Sequence, residues 1–216
     1  MAPERRFLQC LTNTFIIASA TTLIAVFAGA LMAYSIARFR FKGRMFLSIQ
    51  AIILTTIPPI VLVVPLFTIF QEIGLIDTLL GLILADCSFT IPFAIWVLRG
   101  FFEELPIEVE EAAMIDGCTR FTSFLKVTLP LAAPGLVAAG IIIFLAVWNE
   151  FLFAVIFSRV NAKTLTVFMS GFVTPVDTSW EYIFSSQVVA ELPVMILTVM
   201  IYKYLVRGLT FGAVKG

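Results

Sequence analysis

The residues able to do chemistry are few in this chain, and their types exclude most of it. There is no histidine, which removes the commonest general base and the commonest metal ligand. Cys10, Cys87 and Cys118 are odd in number and far apart, a pattern of packed or idle thiols rather than of a disulfide framework or a metal site. No catalytic residue and no metal ligand set can be assembled from what remains, which disfavours a membrane-embedded enzyme. No Gly-x4-Gly-Lys-Ser/Thr loop is present to hold ATP, and no cofactor is expected in this chain. The acids are the informative group. Six of them lie between Gly100 and Pro130 (Glu103, Glu104, Glu108, Glu110, Glu111 and Asp116), against Arg120 and Lys126. Carboxylates so arranged do not react; they dock, as on a helix seated in a groove with a basic rim.

The element that must carry them reads as a short helix. Pro106 suits a first helical position and Glu108 the positive end of the dipole. Gly117 is a natural left-handed terminator, and Thr119 can cap a second helix. Val109, Ala112 and Ala113 share one face, a narrow stripe flanked by Glu110, Glu111 and Asp116. An ordinary solvated loop helix would show the same amphipathicity.

The surroundings of this segment are membrane spans. The 216 residues are 61% hydrophobic and the mean hydropathy is +1.06, more apolar surface than a soluble domain of this size needs. Formal net charge is zero, with 14 basic and 14 acidic residues, so there is no case for nucleic acid. Five runs are long and apolar enough to cross a bilayer: 11–37, 45–70, 79–98, 131–157 and 183–206. Arg38, Arg40, Lys42 and Arg44 follow the first run, and Arg99, Arg120 and Lys126 follow the third. The loop after the second, 71–78, has no Lys or Arg. Arg159 and Lys163 follow the fourth, and Lys203, Arg207 and Lys215 mark the C-terminal end. Positive charge favours the cytoplasm, so the first and third loops and the C-terminus are expected inside and the N-terminus outside. Arg5 and Arg6 oppose this weakly. The first run is too long for a signal peptide and is kept as a span. An odd number of spans with an outside N-terminus leaves open an upstream helix missing from this chain. Pro58, Pro59, Pro65, Pro92 and Pro193 should kink their spans, as a cavity or gate would require.

Inside the spans, Asp86, Glu150 and Glu191 must face protein or water. Asn149 and Glu150 either line a solute path or bond a neighbouring helix or partner. Asp86 and Glu191 are equally open.

Glu111-Ala112-Ala113, three residues, Gly117, nine residues, Val127, one residue, Leu129-Pro130 resembles the coupling loop of bacterial ABC-transporter permeases, with Val127 for isoleucine. Further segments resemble the carbohydrate-uptake branch, and the smaller permease of the maltose-transporter type most closely. They are Asn13-Thr14, Tyr34 through Phe39, Pro92 through Trp96, Arg99 through Phe102, Trp148 through Leu152, Arg207 through Thr210 and Gly212 through Gly216. Coverage is essentially the whole chain; the first span usual in that family is absent. The resemblance implies an all-α polytopic bundle of about five transmembrane helices with the type I ABC importer permease core. It implies a single permease domain over 1–216, with a coupling loop at 100–130 and a cytoplasmic tail at 207–216.

The function it implies is half of the pathway of a binding-protein-dependent importer for a sugar or sugar-like solute, in the bacterial inner membrane. The implied partners are a homologous second permease, two ATPase subunits that carry ATP and magnesium, an extracellular or periplasmic solute-binding protein, and lipid. Glu110, Glu111, Ala112, Ala113, Asp116, Gly117, Leu129 and Pro130 would couple to the ATPases. Gly208, Leu209, Thr210 and Lys215 would reach the ATPase interface from the tail. The loop over 158–182 would probe the binding protein. A stand-alone carrier or channel would explain kinks and buried acids but not the acidic helix, and an ABC permease for a non-sugar solute would share the coupling loop.

Overall fold

A computed structural model gives the fold; it describes the backbone of residues 3–173 and 179–212, and the side chains of 5–173, 179–196, 198 and 199. The regular structure among these residues is helical, apart from an isolated bridge position at Val173. Helix α1 (Pro3–Arg38) is a single rod, as its long apolar run predicts. It packs chiefly against α4 (Leu79–Glu104) and next against α8 (Ala133–Trp148).

The α1–α4 contact follows from small residues. Ala18, Thr21, Ala25 and Ala33 are fully buried, and Gly29 falls in the same row at four-residue spacing. In lipid, helices gain nothing by hiding apolar surface from one another, so close approach of backbones supplies the attraction. At Gly29 the approach is closest: a Cβ there would lie 2.5 Å from the Cβ of Ala94 on α4. The opposite face of α1 carries Leu23 and Phe27, 71% and 69% exposed, as a lipid-facing surface requires. Helix α4 starts where the Thr78 hydroxyl accepts the Gly81 N–H at 3.0 Å, and it runs on through Pro92.

Two of the expected spans are bent far more than kinked. The run 45–70 is two helices, α2 (Arg44–Thr56) and α3 (Pro59–Glu72), meeting at 97°. Tandem Pro58 and Pro59 explain it: the residue before a proline is driven to extended backbone, as Ile57 is, and two N–H donors are missing at one point. The run 131–157 is not one helix either. Its α8 meets the preceding segment Arg120–Leu131 at 72° and stops at Trp148; after a break at 149–151, α9 (Leu152–Phe157) begins. Two described helices, Arg5–Arg38 and Leu79–Glu104, could each cross a bilayer, and up to four spans result if each bent pair is one. The fifth expected run lies within α11 (Trp180–Gly212), which packs on α8 and on α10 (Leu165–Ser170).

The connection between α3 and α4 holds a residue that the sequence reading passed over. Asp77, with a left-handed φ of 60°, receives the backbone N–H groups of Arg159, Val160, Asn161 and Ala162 at 2.8–3.2 Å. Its own N–H donates to the Phe157 carbonyl at 2.8 Å. Burial pushes its carboxyl up, but the four backbone donors outweigh that and hold it below the ordinary 3.8. A depressed acid stabilises the fold above its unfolded pKa and loses that contribution as pH falls through its folded value. Asp77→Ala should therefore lower Tm at pH 7 by roughly 2–4 °C, the equivalent of about 1 kcal/mol at this size. The gap from wild type should close as acid titrates Asp77, read by thermal unfolding across pH 7 to 3; a gap constant with pH would refute the carboxylate's role.

Candidate functional site

The segment between α4 and α8 folds much as its residues suggest. Helix α5 (Ile107–Ile115) follows Pro106 with Glu108 and Glu110 in its first turn. It ends at Gly117, whose φ of 91° only glycine adopts without strain. The Cys118 N–H returns to the Ala113 carbonyl at 3.0 Å and the Gly117 N–H to Met114 at 3.1 Å, a Schellman closure. Thr119 caps α6 (Arg120–Ser123) by accepting the Thr122 N–H at 3.2 Å. A π-helical turn (Phe124–Thr128) then leads into α7 (Leu129–Leu131), with the Leu129 N–H reaching five residues back to Phe124. Pro130 cannot continue the ordinary ladder, and the widened turn absorbs the loss.

One expected docking residue points the other way. Glu110, expected to flank the exposed stripe, is 6% exposed and faces α1. Its carboxylate accepts from the Tyr34 hydroxyl at 2.9 Å and the Arg38 Nε at 2.8 Å. A second Arg38 nitrogen donates to the Leu105 carbonyl at 2.8 Å. The Ser123 hydroxyl meets the Glu110 carbonyl at 3.5 Å, which joins α6 to the same knot. Tyr34 also packs on Phe124 and Phe102 at ring separations of 4.4 and 5.8 Å, and these rings keep water from the pair. Among the described residues this is the one buried ion pair; Glu103 pairs with Arg99 and Arg44 where water competes. Tyr34 and Arg38 were missed as functional residues, although four-residue spacing at the end of an apolar run sets them on one face.

What α5 leaves outside is Glu111, Ala112, Ile115 and Asp116, with Val109 exposed and Ala113 half-buried. Ile115 is 85% exposed, and Phe121 on α6 is exposed near it in sequence. Leu129 packs against the main core while Pro130 is exposed. Gly208, Leu209 and Thr210 continue α11, and Lys215 lies outside the described residues. Part of the loop over 158–182, residues 174–178, lies outside them too.

The membrane acids resolve differently from one another. Glu150 sits in the break after α8, where its two oxygens accept the N–H groups of Phe153 and Ala154 at 2.8 and 3.0 Å. From the position before the N-cap residue Phe151, its side chain satisfies donors that the start of α9 leaves free. The Asn149 amide turns back to the Leu145 carbonyl at 2.8 Å. Glu191 accepts from Gln187 on its own helix at 2.6 Å. Asp86 is buried in α4 beside Glu150, and the two line one small cavity with Thr14 and Thr164.

Residues 25–211 match the family described as binding-protein-dependent transport system inner membrane component. The chain belongs to this family. Among relatives of the inner membrane components, the trehalose transport system permease protein SugB of Mycobacterium tuberculosis is 40% identical over 213 residues, 97% of this chain and 78% of the relative. The trehalose/maltose transport system permease protein MalG of Thermococcus litoralis is 36% identical over 216 residues, 99% of this chain and 78% of the relative. The fold is shared with solved ABC importers. A bacterial transporter for the acidic polysaccharide alginate aligns with TM-score 0.73 at 22% identity, covering 92% of this chain and 75% of that one. The methionine transporter MetNI aligns with TM-score 0.65 at 21% identity, covering 96% and 93%. The expected all-helical importer-permease architecture is thus present, with apolar helices suited to a multi-pass membrane protein.

Proposed function

We propose that this chain is one permease of an ABC importer for a sugar or sugar-like solute, driven through α5 by ATPase subunits it does not itself contain. The observation that carries the reading is the division of α5 into two faces. Glu110 anchors one face to α1 by a buried ion pair, and Glu111, Ala112, Ile115 and Asp116 stand free on the other. A helix so held passes displacement into the spans rather than bending aside. Relatives named for trehalose and maltose support the solute class. In this reading α5 and the C-terminal end are cytoplasmic, a homologous second permease completes the pathway, and two ATPases hold ATP and magnesium. A solute-binding protein delivers cargo from outside. Glu111, Ala112, Ala113, Asp116 and Gly117 form the ATPase contact, with the Gly208–Thr210 stretch and Lys215 adding to it from the tail.

Co-purification tests the proposal. The tagged chain should bring down an ATPase and a second permease, and Ile115→Asp should lose most of the ATPase while the permease pair stays intact. That residue is almost wholly exposed, so its replacement leaves the fold alone. Uptake by the chain alone in vesicles, or undiminished ATPase recovery with Ile115→Asp, would refute it.

A further inference from the structure

We infer that Asp86, Glu150, Thr14 and Thr164 form a site for one small monovalent cation, of the size and hardness of sodium, at the break between α8 and α9. Asp86 is 2% exposed, and its Oδ1 has no hydrogen-bond partner among the described residues. The Thr90 hydroxyl beside it bonds the Asp86 backbone carbonyl and leaves the carboxylate untouched. A buried carboxylate without a partner is too costly to keep charged, so it must take up a proton or meet a cation, and a single cation in this cavity would meet both of its acids. The side chain lines a cavity of about 10 Å³, room for one water- or ion-sized guest.

The lining selects the guest. Glu150 contributes a second carboxylate; each oxygen takes one backbone N–H and keeps a lone pair. The Thr14 hydroxyl is held in place by donating to the Cys10 carbonyl at 2.9 Å and accepting the Leu165 N–H at 2.9 Å. The Thr164 hydroxyl is fixed by Thr166 at 2.9 Å. Among the described residues no lysine or arginine lines the cavity. Val147, in the last turn of α8, and Ala154, in the first turn of α9, also line it, so the cavity sits where the two helix ends meet. Every donor atom is a hard oxygen. Among the described residues no three of His, Cys, Asp and Glu gather, which leaves too few anionic ligands for a divalent or transition metal. Breaks in discontinuous helices are where membrane transport proteins coordinate alkali cations. Bound there, the cation would tie α4 to the α8–α9 break across α1. The inference concerns this chain's own core and does not depend on the solute proposed above.

The test uses the intact transporter in lipid nanodiscs. Its Tm is followed as sodium chloride replaces choline chloride at constant ionic strength and pH 7. A saturable rise with sodium is expected in wild type, with one 22Na+ bound per chain at this site, and Asp86→Asn should abolish both. Asn is isosteric and neutral, so it needs no counter-charge. Should that variant fail to assemble, Thr164→Val should raise half-saturating sodium about tenfold. A wild-type Tm indifferent to sodium, a Tm that responds to pH alone because Asp86 carries a proton, or an unchanged sodium response in both variants would overturn the site.

Discussion

Arg38→Met should cost this permease about 3–5 kcal/mol and abolish uptake. The arginine is the counter-charge of Glu110, and both side chains are 8% exposed. Removing it leaves a carboxylate in a pocket walled by Tyr34, Phe102 and Phe124, with the Tyr34 hydroxyl as its last side-chain donor. The Leu105 carbonyl loses its donor at the same time. Thermal unfolding in lipid measures the first effect. Tyr34→Phe removes one hydrogen bond to a charged group and should cost about 1.5–3 kcal/mol, less than loss of the charge. The double variant Arg38→Met with Glu110→Leu separates stability from transmission. Apolar replacements of a buried pair are often neutral, so the double variant should recover most of the Tm. Uptake should stay low, because no polar tie then joins α5 to α1. Recovery of both would reduce the pair to packing material.

Gly29→Leu should prevent assembly of the membrane body. Beyond the contact with the Ala94 Cβ, a Cβ at Gly29 would sit 3.2 Å from the Ala94 carbonyl carbon and 3.3 Å from the Ile95 nitrogen. Backbone cannot step aside as a side-chain tip can, and the obstruction falls in the most extensive helix contact among the described residues. Overpacking costs of about 1–3 kcal/mol apply to a single extra methylene or two; an isobutyl group at this crossing should leave little folded protein in the membrane. Gly29→Ala should be milder and should be rescued by Ala94→Gly, which removes the opposing Cβ. Gly140→Ala provides the contrast, since its added Cβ would meet Val26 and Thr22 at 3.6 and 3.7 Å, ordinary contact distances. Quantifying folded protein by size-exclusion after solubilisation distinguishes the three. Normal yields for Gly29→Leu would mean that α1 and α4 do not cross as described.

The sequence made the rods legible and the joints only partly so. Long apolar runs announce α1 and α4 directly, the second despite Asp86, and Gly117 and Thr119 announce the end of α5 and the start of α6, because those signals are local. Pro58 and Pro59 announced a bend but not its 97°, since the angle is settled by what each half packs against. The break at 149–151 was hidden: Trp148, Phe151 and Leu152 keep the run apolar, and Glu150 reads equally well as pathway or as cap until Phe153 and Ala154 are seen on its oxygens. Glu110 was placed on the wrong side because three-and-four spacing shows that faces exist, not which one meets a neighbour. Its partners Tyr34 and Arg38 are more than 70 residues away, and their shared face on α1 does not say that Glu110 meets it. Asp77 escaped notice for the same reason, its donors lying more than 80 residues on.

The places where the helical ladder is interrupted carry a consequence for motion. A continuous helix that swings must rupture rungs, each worth about 1 kcal/mol net and more where no water waits to replace it. At Ile57 to Pro59 and at 149–151 those rungs are missing already, and Glu150 satisfies the donors they would have used. Rotation there ruptures fewer backbone rungs than bending an unbroken helix would. The α1–α4 pair, fused along a row of small residues, has no such gap and behaves as a stator. On the proposed coupling through α5, its motion would appear as turning of α3 and α8 about these weakened joints, with the α1–α4 pair bearing the reaction.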